Sequence, residues 1–293
     1  MITHIPVMAL EVLAMLNVGR GGVYVDATLG LGGHAEEILK RIGPEGRLIG
    51  IDRDEVALSM ARDRLPDKRV TFIKGNFSCL KALLAMAGIN KADGLLFDFG
   101  VSMLQFKDMS RGFSFNSDAV LDMRMDRSQI LTADKVVNSY PEKEICRVLT
   151  EYSEERFAKK IAKAITDARR RKRIANCAEL AGIVSEVYKG RSRREKIHPA
   201  TRTFQALRIC VNDELGEIKK GLEEAPDILN TGGRLCAISY HSNEDRIVKN
   251  FLREADRDGI FRVLTKKPVI ASREEARQNP SSRSAKLRGA EKL

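Results

Sequence analysis

Short apolar runs alternate with amphipathic stretches over the first hundred residues. Val23–Asp26, Arg47–Asp52, Val70–Lys74 and Gly94–Asp98 are runs rich in Val, Ile, Leu and Phe that end on a polar residue, the signature of short buried strands. Between them, residues 35–42, 55–64 and 78–87 carry helical spacing and stop at Gly43-Pro44, Pro66 and Gly88, residues that break or close helices. Strands alternating with helices predict a mostly parallel sheet covered on both faces. The rhythm stops after Phe99-Gly100, and residues 109–208 read as helical and polar. Strand signals return at 232–240, 261–266 and 284–288, while 274–284, rich in Ser, Arg, Asn and Pro, reads as a loop. The expected fold is therefore α/β. A Rossmann-like core of residues 1–108 and 209–293 is interrupted by a helical domain at 109–208. No internal repeat is visible.

Charge sharpens that division. The chain has 293 residues, 43% of them hydrophobic, enough for a sizeable core. Its 51 Lys+Arg exceed its 40 Asp+Glu by 11. Residues 109–208 alone hold 22 Lys+Arg against 13 Asp+Glu, a net of +9, densest at Arg169-Arg-Arg-Lys-Arg173 and Arg191-Ser-Arg-Arg194. Such a concentration suits a polyanion such as nucleic acid, although total composition alone leaves a basic enzyme without such a partner equally open. The five cysteines and four histidines fall in no zinc-ligand spacing, so no metal is expected. Scattered, odd-numbered cysteines suit a reducing cytosol. The first residues show no signal-peptide pattern, and no apolar run reaches the ~20 residues of a membrane helix. A cytoplasmic protein is the expectation.

The first candidate chemistry is the loop Asp26-Ala-Thr-Leu-Gly30-Leu-Gly32-Gly33-His34. Gly30 and Gly32 permit a tight turn and Gly33 a close backbone approach to a ligand, at the carboxyl edge of the sheet where such folds bind cofactors. The loop also satisfies the dinucleotide pattern G-x-G-x-x-G/A, and Asp52 lies near the spacing of a ribose-binding acid. On those two features a dehydrogenase and a methyltransferase both stay open. Asp26 shifts the balance. A carboxylate beside the glycines would repel a pyrophosphate, whereas it favours the sulfonium and amino groups of S-adenosylmethionine. Asp98, ending the fourth strand, adds charge of the same sign. Phe77, after the third strand, is placed to pack on an adenine or simply to fill the core.

The same residues carry a resemblance. The run 26–34, Ile51-Asp-Arg-Asp54, Phe97-Asp-Phe-Gly-Val-Ser102 and Arg111-Gly-Phe-Ser-Phe115 resemble motifs of the bacterial 16S ribosomal RNA (cytosine-N4)-methyltransferase family. So, in order, do Leu121-Asp-Met-Arg-Met-Asp126, His198-Pro-Ala-Thr-Arg-Thr-Phe-Gln-Ala-Leu-Arg208, Ser239-Tyr-His-Ser-Asn-Glu-Asp-Arg-Ile-Val-Lys249 and Asn279-Pro-Ser-Ser-Arg-Ser-Ala-Lys-Leu-Arg288. His4-Ile-Pro-Val-Met also fits, so the likeness spans the chain. It implies a class I methyltransferase core with a helical insertion, and N4-methylation of a cytidine in the decoding centre of small-subunit ribosomal RNA. Its matching positions imply cofactor contacts at Gly32, Gly33, His34, Asp52, Phe77, Asp98 and Gln105, the last on the resemblance alone. Asp26 and Gly30 join them on the physical argument above.

Three departures stand out. Ser102-Met-Leu-Gln105 replaces the usual Ser-Ser-Pro-Gln, Asp118-Ala-Val-Leu-Asp122 replaces Asp-Gly-Pro-Leu-Asp, and Tyr240 stands where Phe is common. Asp98 and His241 are the candidate catalytic groups, Asp98 as acceptor of an N–H bond from the target amine. Tyr240, His241 and Ser242, with Arg111, Phe113 and Phe115, are candidates for holding a flipped or single-stranded base. Arg111, Arg169, Arg170, Arg171, Arg173, Arg193, Arg194 and Arg202 are candidate contacts to the RNA backbone. The partner would be small-subunit ribosomal RNA or the 30S subunit, with a homodimer possible in principle. The rival readings are an NAD(P)-dependent oxidoreductase, which shares the loop and Asp52, and a non-catalytic RNA-binding or assembly protein.

Overall fold

The structure, a computed structural model, describes residues 5–189 and 197–293. The chain divides into two compact units, one of Met1–Gly100 with Leu215–Leu293 and one of Val101–Glu214.

The first unit is built on one sheet. Its strands are β1 (Val23–Asp26), β2 (Arg47–Asp52), β3 (Val70–Lys74), β4 (Ala92–Asp98), β5 (Leu229–Ser239), β6 (Phe261–Val263), β7 (Val269–Ile270) and β8 (Lys286–Lys292). The spatial order is β3-β2-β1-β4-β5-β8-β6, with β7 also pairing to β8. The first five strands in that order are mutually parallel, and β8 runs antiparallel to β5, β6 and β7. The strand order reverses between β1 and β4, and a doubly wound sheet opens its ligand crevice at such a point. The uninterrupted apolar strands are explained by burial on both faces. Ile49, Leu95 and Phe97 pack with Leu80, Leu84, Ile218, Leu222, Val248 and Leu252. Their neighbours Leu48 and Leu96 pack on the opposite face with Val12, Leu16, Ile38 and Leu58. Helices Leu80–Met86, Glu214–Ile228 and Ser242–Arg257 thus cover one face, and Ala9–Leu16, Gly33–Leu39 and Glu55–Arg64 the other.

Several expectations are corrected. The last strand occupies 286–292 instead of 284–288, so it reaches across β5 from Ser239 to Arg234. The stretch read as loop contains a helix, Arg273–Gln278, whose Ser272 hydroxyl accepts the Glu275 N–H, followed by a 3₁₀ turn at Pro280–Ser284. A Ser cap three residues before Glu is a helix-start signal that the polar composition hid. β5 begins at Leu229, before its apolar run, because Leu229 already pairs with Ala92. A register shift then accommodates Gly232, whose φ is +81°. β6 ends at Val263 instead of running on to Lys266.

The second unit is helical: Met103–Lys107, Ala133–Ser139, Glu142–Ser153, Ala158–Arg171, Cys177–Tyr188 and Ala200–Asn212. Its own core gathers Val136, Ile145, Leu149, Ile161, Ile165, Leu180, Val184 and Leu207. An irregular stretch lies between the first and second of these helices. Gly112 holds a φ of +74° there, and a Cβ on it would sit 2.5 Å from the Val120 carbonyl oxygen, so only glycine fits.

Candidate cofactor-binding site

Three carboxylates end three adjacent strands: Asp26 on β1, Asp52 on β2 and Asp98 on β4. The glycine loop leaves β1 between them. Gly30 and Gly32 have φ of +53° and +76°, and a Cβ on Gly32 would lie 2.7 Å from a Leu65 methyl. The Asp52 carboxylate holds this loop in place. One oxygen accepts the Gly30 N–H at 2.8 Å, the other the Asp54 N–H at 2.8 Å. Burial raises the pKa of Asp52, against the opposing pull of those two hydrogen bonds. Each oxygen keeps a second lone pair for a ligand hydroxyl. Gly33 opens the following helix and is buried.

Asp26 is 1% exposed, and its carboxylate accepts the Thr28 N–H at 3.2 Å. Burial pushes its pKa up to about 7, opposed by the charge of His34 and by the Thr28 bond and reinforced by Asp98 and Asp52. The Thr28 hydroxyl in turn accepts the Asp98 N–H at 2.6 Å, tying the loop to β4. The two Asp98 oxygens face different partners. The Tyr240 hydroxyl donates to one at 2.7 Å, and His34 Nε2 lies 3.6 Å from the other. His34 is buried, and Nε2 makes no hydrogen bond. Burial works to lower its pKa, but the close approach of the Asp98 carboxylate, and then the charges of Asp98, Asp26 and Glu275, outweigh it and the net direction is up. Tyr240 is raised well above the ordinary phenol value, first by burial and then by Asp98. Its hydroxyl bonds Asp98, which a Phe there could not do.

Phe77 sits on a 3₁₀ turn after β3. Its ring meets Phe97 edge-on at 5.6 Å between centroids and Phe99 at 5.8 Å. Gly221 lets the covering helix approach it, since a Cβ there would fall 2.8 Å from the Phe77 ring. His241 caps helix Ser242–Arg257. Its Nε2 is 3.1 Å from Glu244, whose other oxygen accepts the N–H groups of Tyr240 and His241. This capping box gives His241 and Glu244 a structural task at the end of β5.

Gln105 belongs to the other unit. It is buried, and its side chain accepts the Ser102 N–H while its own N–H goes to the Ser102 hydroxyl. This capping box keeps the turn without the family's proline, and Ser102-x-x-Gln105 is its visible sequence signal.

The basic residues of the second unit divide sharply. Arg111 is 4% exposed and donates to the Arg124 and Met125 carbonyls at 2.8 and 2.9 Å. Arg169 donates to the Val137 and Tyr140 carbonyls at 2.6 and 2.5 Å, closing the end of helix Ala133–Ser139. Both are committed inside the fold, contrary to their expected role on RNA. Arg170 and Arg173 remain 75% and 65% exposed beside single carboxylate partners, Asp167 and Asp134. Arg171 is exposed and Arg202 half-buried. Arg193 and Arg194 lie outside the described residues, as does His4. Sequence reading missed Lys159 and Lys160, exposed on helix Ala158–Arg171. Phe113 is core, and Phe115 stacks on His198 at 4.3 Å. Among the described residues no group of His, Cys, Asp and Glu is arranged to hold a metal, and no helix is long and apolar enough to cross a membrane.

A crevice lined by three strand-end carboxylates, over a mostly parallel sheet with one antiparallel strand between β5 and β6, defines a class I methyltransferase fold whose cofactor is S-adenosylmethionine. The whole chain, residues 1–293, matches the model of the MraW methylase family, and it belongs to that family. It is 49% identical over 295 residues to the ribosomal RNA small subunit methyltransferase H of Persephonella marina, covering 100% of both chains. It is 48% identical over 307 residues to that of Symbiobacterium thermophilum, covering 99% of this chain and 96% of the relative. A solved Clostridium thermocellum structure, described as an rRNA-methylase candidate, shares the fold at a TM-score of 0.50 and 14% identity, with full coverage of both chains.

Proposed function

We propose that this protein transfers a methyl group from S-adenosylmethionine to the exocyclic N4 of a cytidine in the decoding centre of 16S ribosomal RNA. The observation that carries the reading is the charge of the crevice. Asp26, Asp52 and Asp98 converge there, and among the described residues no Lys or Arg side chain pairs with Asp26 or Asp98. A pyrophosphate would be repelled, so the NAD(P) reading loses its support. A sulfonium and an amino group would be held. Full-length likeness to small-subunit methyltransferases supports the RNA as acceptor. The loop Gly30, Gly32, Gly33 with His34 and Asp52 would seat the cofactor, and Phe77 would face its adenine.

The cofactor supplies an electrophilic methyl group when bound. The chain's part is to orient and activate the amine, whose lone pair is delocalised into the pyrimidine ring. Asp98 would accept one N–H of that amine and so localise the pair on nitrogen. The Tyr240 hydroxyl holds one Asp98 oxygen in place, and such positioning is worth much of the rate. Exposed Lys159, Lys160, Arg170, Arg171 and Arg173, with Arg202, would contact phosphates. Small-subunit ribosomal RNA, free or in the 30S subunit, as substrate, a homodimer and a cytoplasmic location complete the proposal.

Calorimetry tests the cofactor: S-adenosylmethionine binds and NAD does not, and the reverse result rejects the reading. For Asp98→Asn, cofactor affinity should weaken because the crevice loses one carboxylate, and at saturating cofactor the single-turnover rate should drop by roughly 10²-fold, in the range of a lost general acid–base group. An unchanged rate would remove Asp98 from the chemistry.

A further inference from the structure

Asp26 is a buried acid whose surroundings are incomplete. Its carboxylate is 1% exposed and accepts one backbone N–H, from Thr28. The charged groups that face it are Asp52 at the end of β2, Asp98 at the end of β4 and His34 on the helix after the loop. His34 faces Asp98, Asp26 and Glu275, the last from helix Arg273–Gln278, where Glu275 accepts the Met8 N–H at 2.7 Å. Tyr240, at the end of β5, bonds Asp98, and the buried Cys236 of β5 stays a neutral thiol. The cluster therefore holds three carboxylates, Glu275 behind them, and one imidazole. A buried carboxylate among other carboxylates, with the one imidazole shared between it and Asp98, is costly as an anion. It can resolve that cost by holding a proton or by receiving a cation.

Resting on the crevice as the S-adenosylmethionine pocket, we propose that Asp26 is a charge sensor. It gives up a proton when the sulfonium form of the cofactor binds and retakes one when the neutral thioether product is left, so that it sets the preference for cofactor over demethylated product. The proton count closes. Transfer of a methyl cation to a neutral amine leaves a thioether, a methylated amine and one proton to be placed, and the crevice loses one positive charge in the same step. The carboxylate that lost its proton to the sulfonium field then regains affinity for one. Asp26 is a resting place for that proton inside the buried cluster.

The sign follows from the protonation state. Asp26 stands near pH 7 without ligand. Below that, binding the cation must expel a proton, so affinity weakens as pH falls. Above it, Asp26 is already charged and affinity levels off. The demethylated product shares every other group with the cofactor, so those groups' own titrations cancel in the ratio of the two affinities.

The test is isothermal calorimetry on the full chain with S-adenosylmethionine and with S-adenosylhomocysteine, from pH 5.5 to 8.5, each in two buffers of different ionisation enthalpy. The preference for the methylated form should grow by up to about tenfold per pH unit below pH 7 and then plateau, with proton release on binding the cation that the neutral product does not produce. Asp26→Asn should flatten the ratio, while His34→Gln, which removes the imidazole facing Asp26 and Asp98, should keep its slope. A wild-type ratio independent of pH, with both ligands binding, overturns the charge-sensor role and leaves the pocket assignment standing. A slope lost in His34→Gln but kept in Asp26→Asn also overturns it and assigns the effect to the imidazole. If neither ligand binds at any pH, the pocket assignment itself fails. The wild-type measurement stands even if a variant does not fold.

Discussion

Arg111 and Asp26 show how burial decides what a charged residue does. Arg111 lies in a basic segment, yet both its described acceptors are backbone carbonyls within that segment. Arg111→Ala should cost about 2–4 kcal/mol of stability, since two buried carbonyls lose a charged donor, and should leave the salt dependence of RNA binding unchanged. Thermal unfolding and a binding series in salt measure the two separately. A shallower salt slope would return Arg111 to the RNA surface. Asp26 gives a pH signature of opposite sense to an ordinary ion-paired acid. Its folded pKa, about 7, is above the ordinary 3.8, so between those values the folded state holds a proton that the unfolded chain has released. Stability from this group falls as pH rises through that window, by up to about 4 kcal/mol. Asp26→Asn should melt higher than wild type at pH 8 and gain little at pH 4. Equal melting shifts at both pH values would contradict the shifted carboxyl.

At the scale of elements, the strands of the first half were readable because they are buried on both faces. Val23–Asp26, Arg47–Asp52 and Val70–Lys74 fall where the apolar runs end. The acids that close β1, β2 and β4 were readable too, since a polar residue after an apolar run marks the sheet's edge. What was hidden is long-range. β8 is held by antiparallel pairing to three strands, and its Arg288 is neutralised by Asp245 at 2.7 Å, a partner 43 residues away that no local pattern announces. The helix Arg273–Gln278 was obscured by polar composition, and the Tyr240 bond to Asp98 spans two strand ends 142 residues apart. In the second unit, amphipathic periodicity marks the helices, but it does not say which arginines point outward. On helix Ala158–Arg171, Arg170 and Arg171 do and Arg169 does not. Replacing Arg170 and Arg171 with Ala should leave stability within about 0.5 kcal/mol, as exposed pairs contribute little. It should also reduce the salt slope of RNA binding by about one for each phosphate the pair neutralises. An unchanged slope would move the RNA to another face.

At the scale of the molecule, the two units divide the labour the account assigns. The sheet unit gathers acids at its topological switch point, where a cationic cofactor is favoured. The helical unit carries most of the excess positive charge, where a polyanion is favoured. Membership of the MraW methylase family and full-length likeness to small-subunit methyltransferases agree with that division. The most direct test is transfer of labelled methyl from S-adenosylmethionine to small ribosomal subunits isolated from cells lacking this activity, followed by mapping of the modified nucleotide by mass spectrometry. The account predicts one labelled site, an N4-methylated cytidine in the decoding centre of 16S ribosomal RNA, with transfer strongly reduced for Asp98→Asn. Label on a different base or a different atom, or none on subunits and free RNA alike, would contradict it.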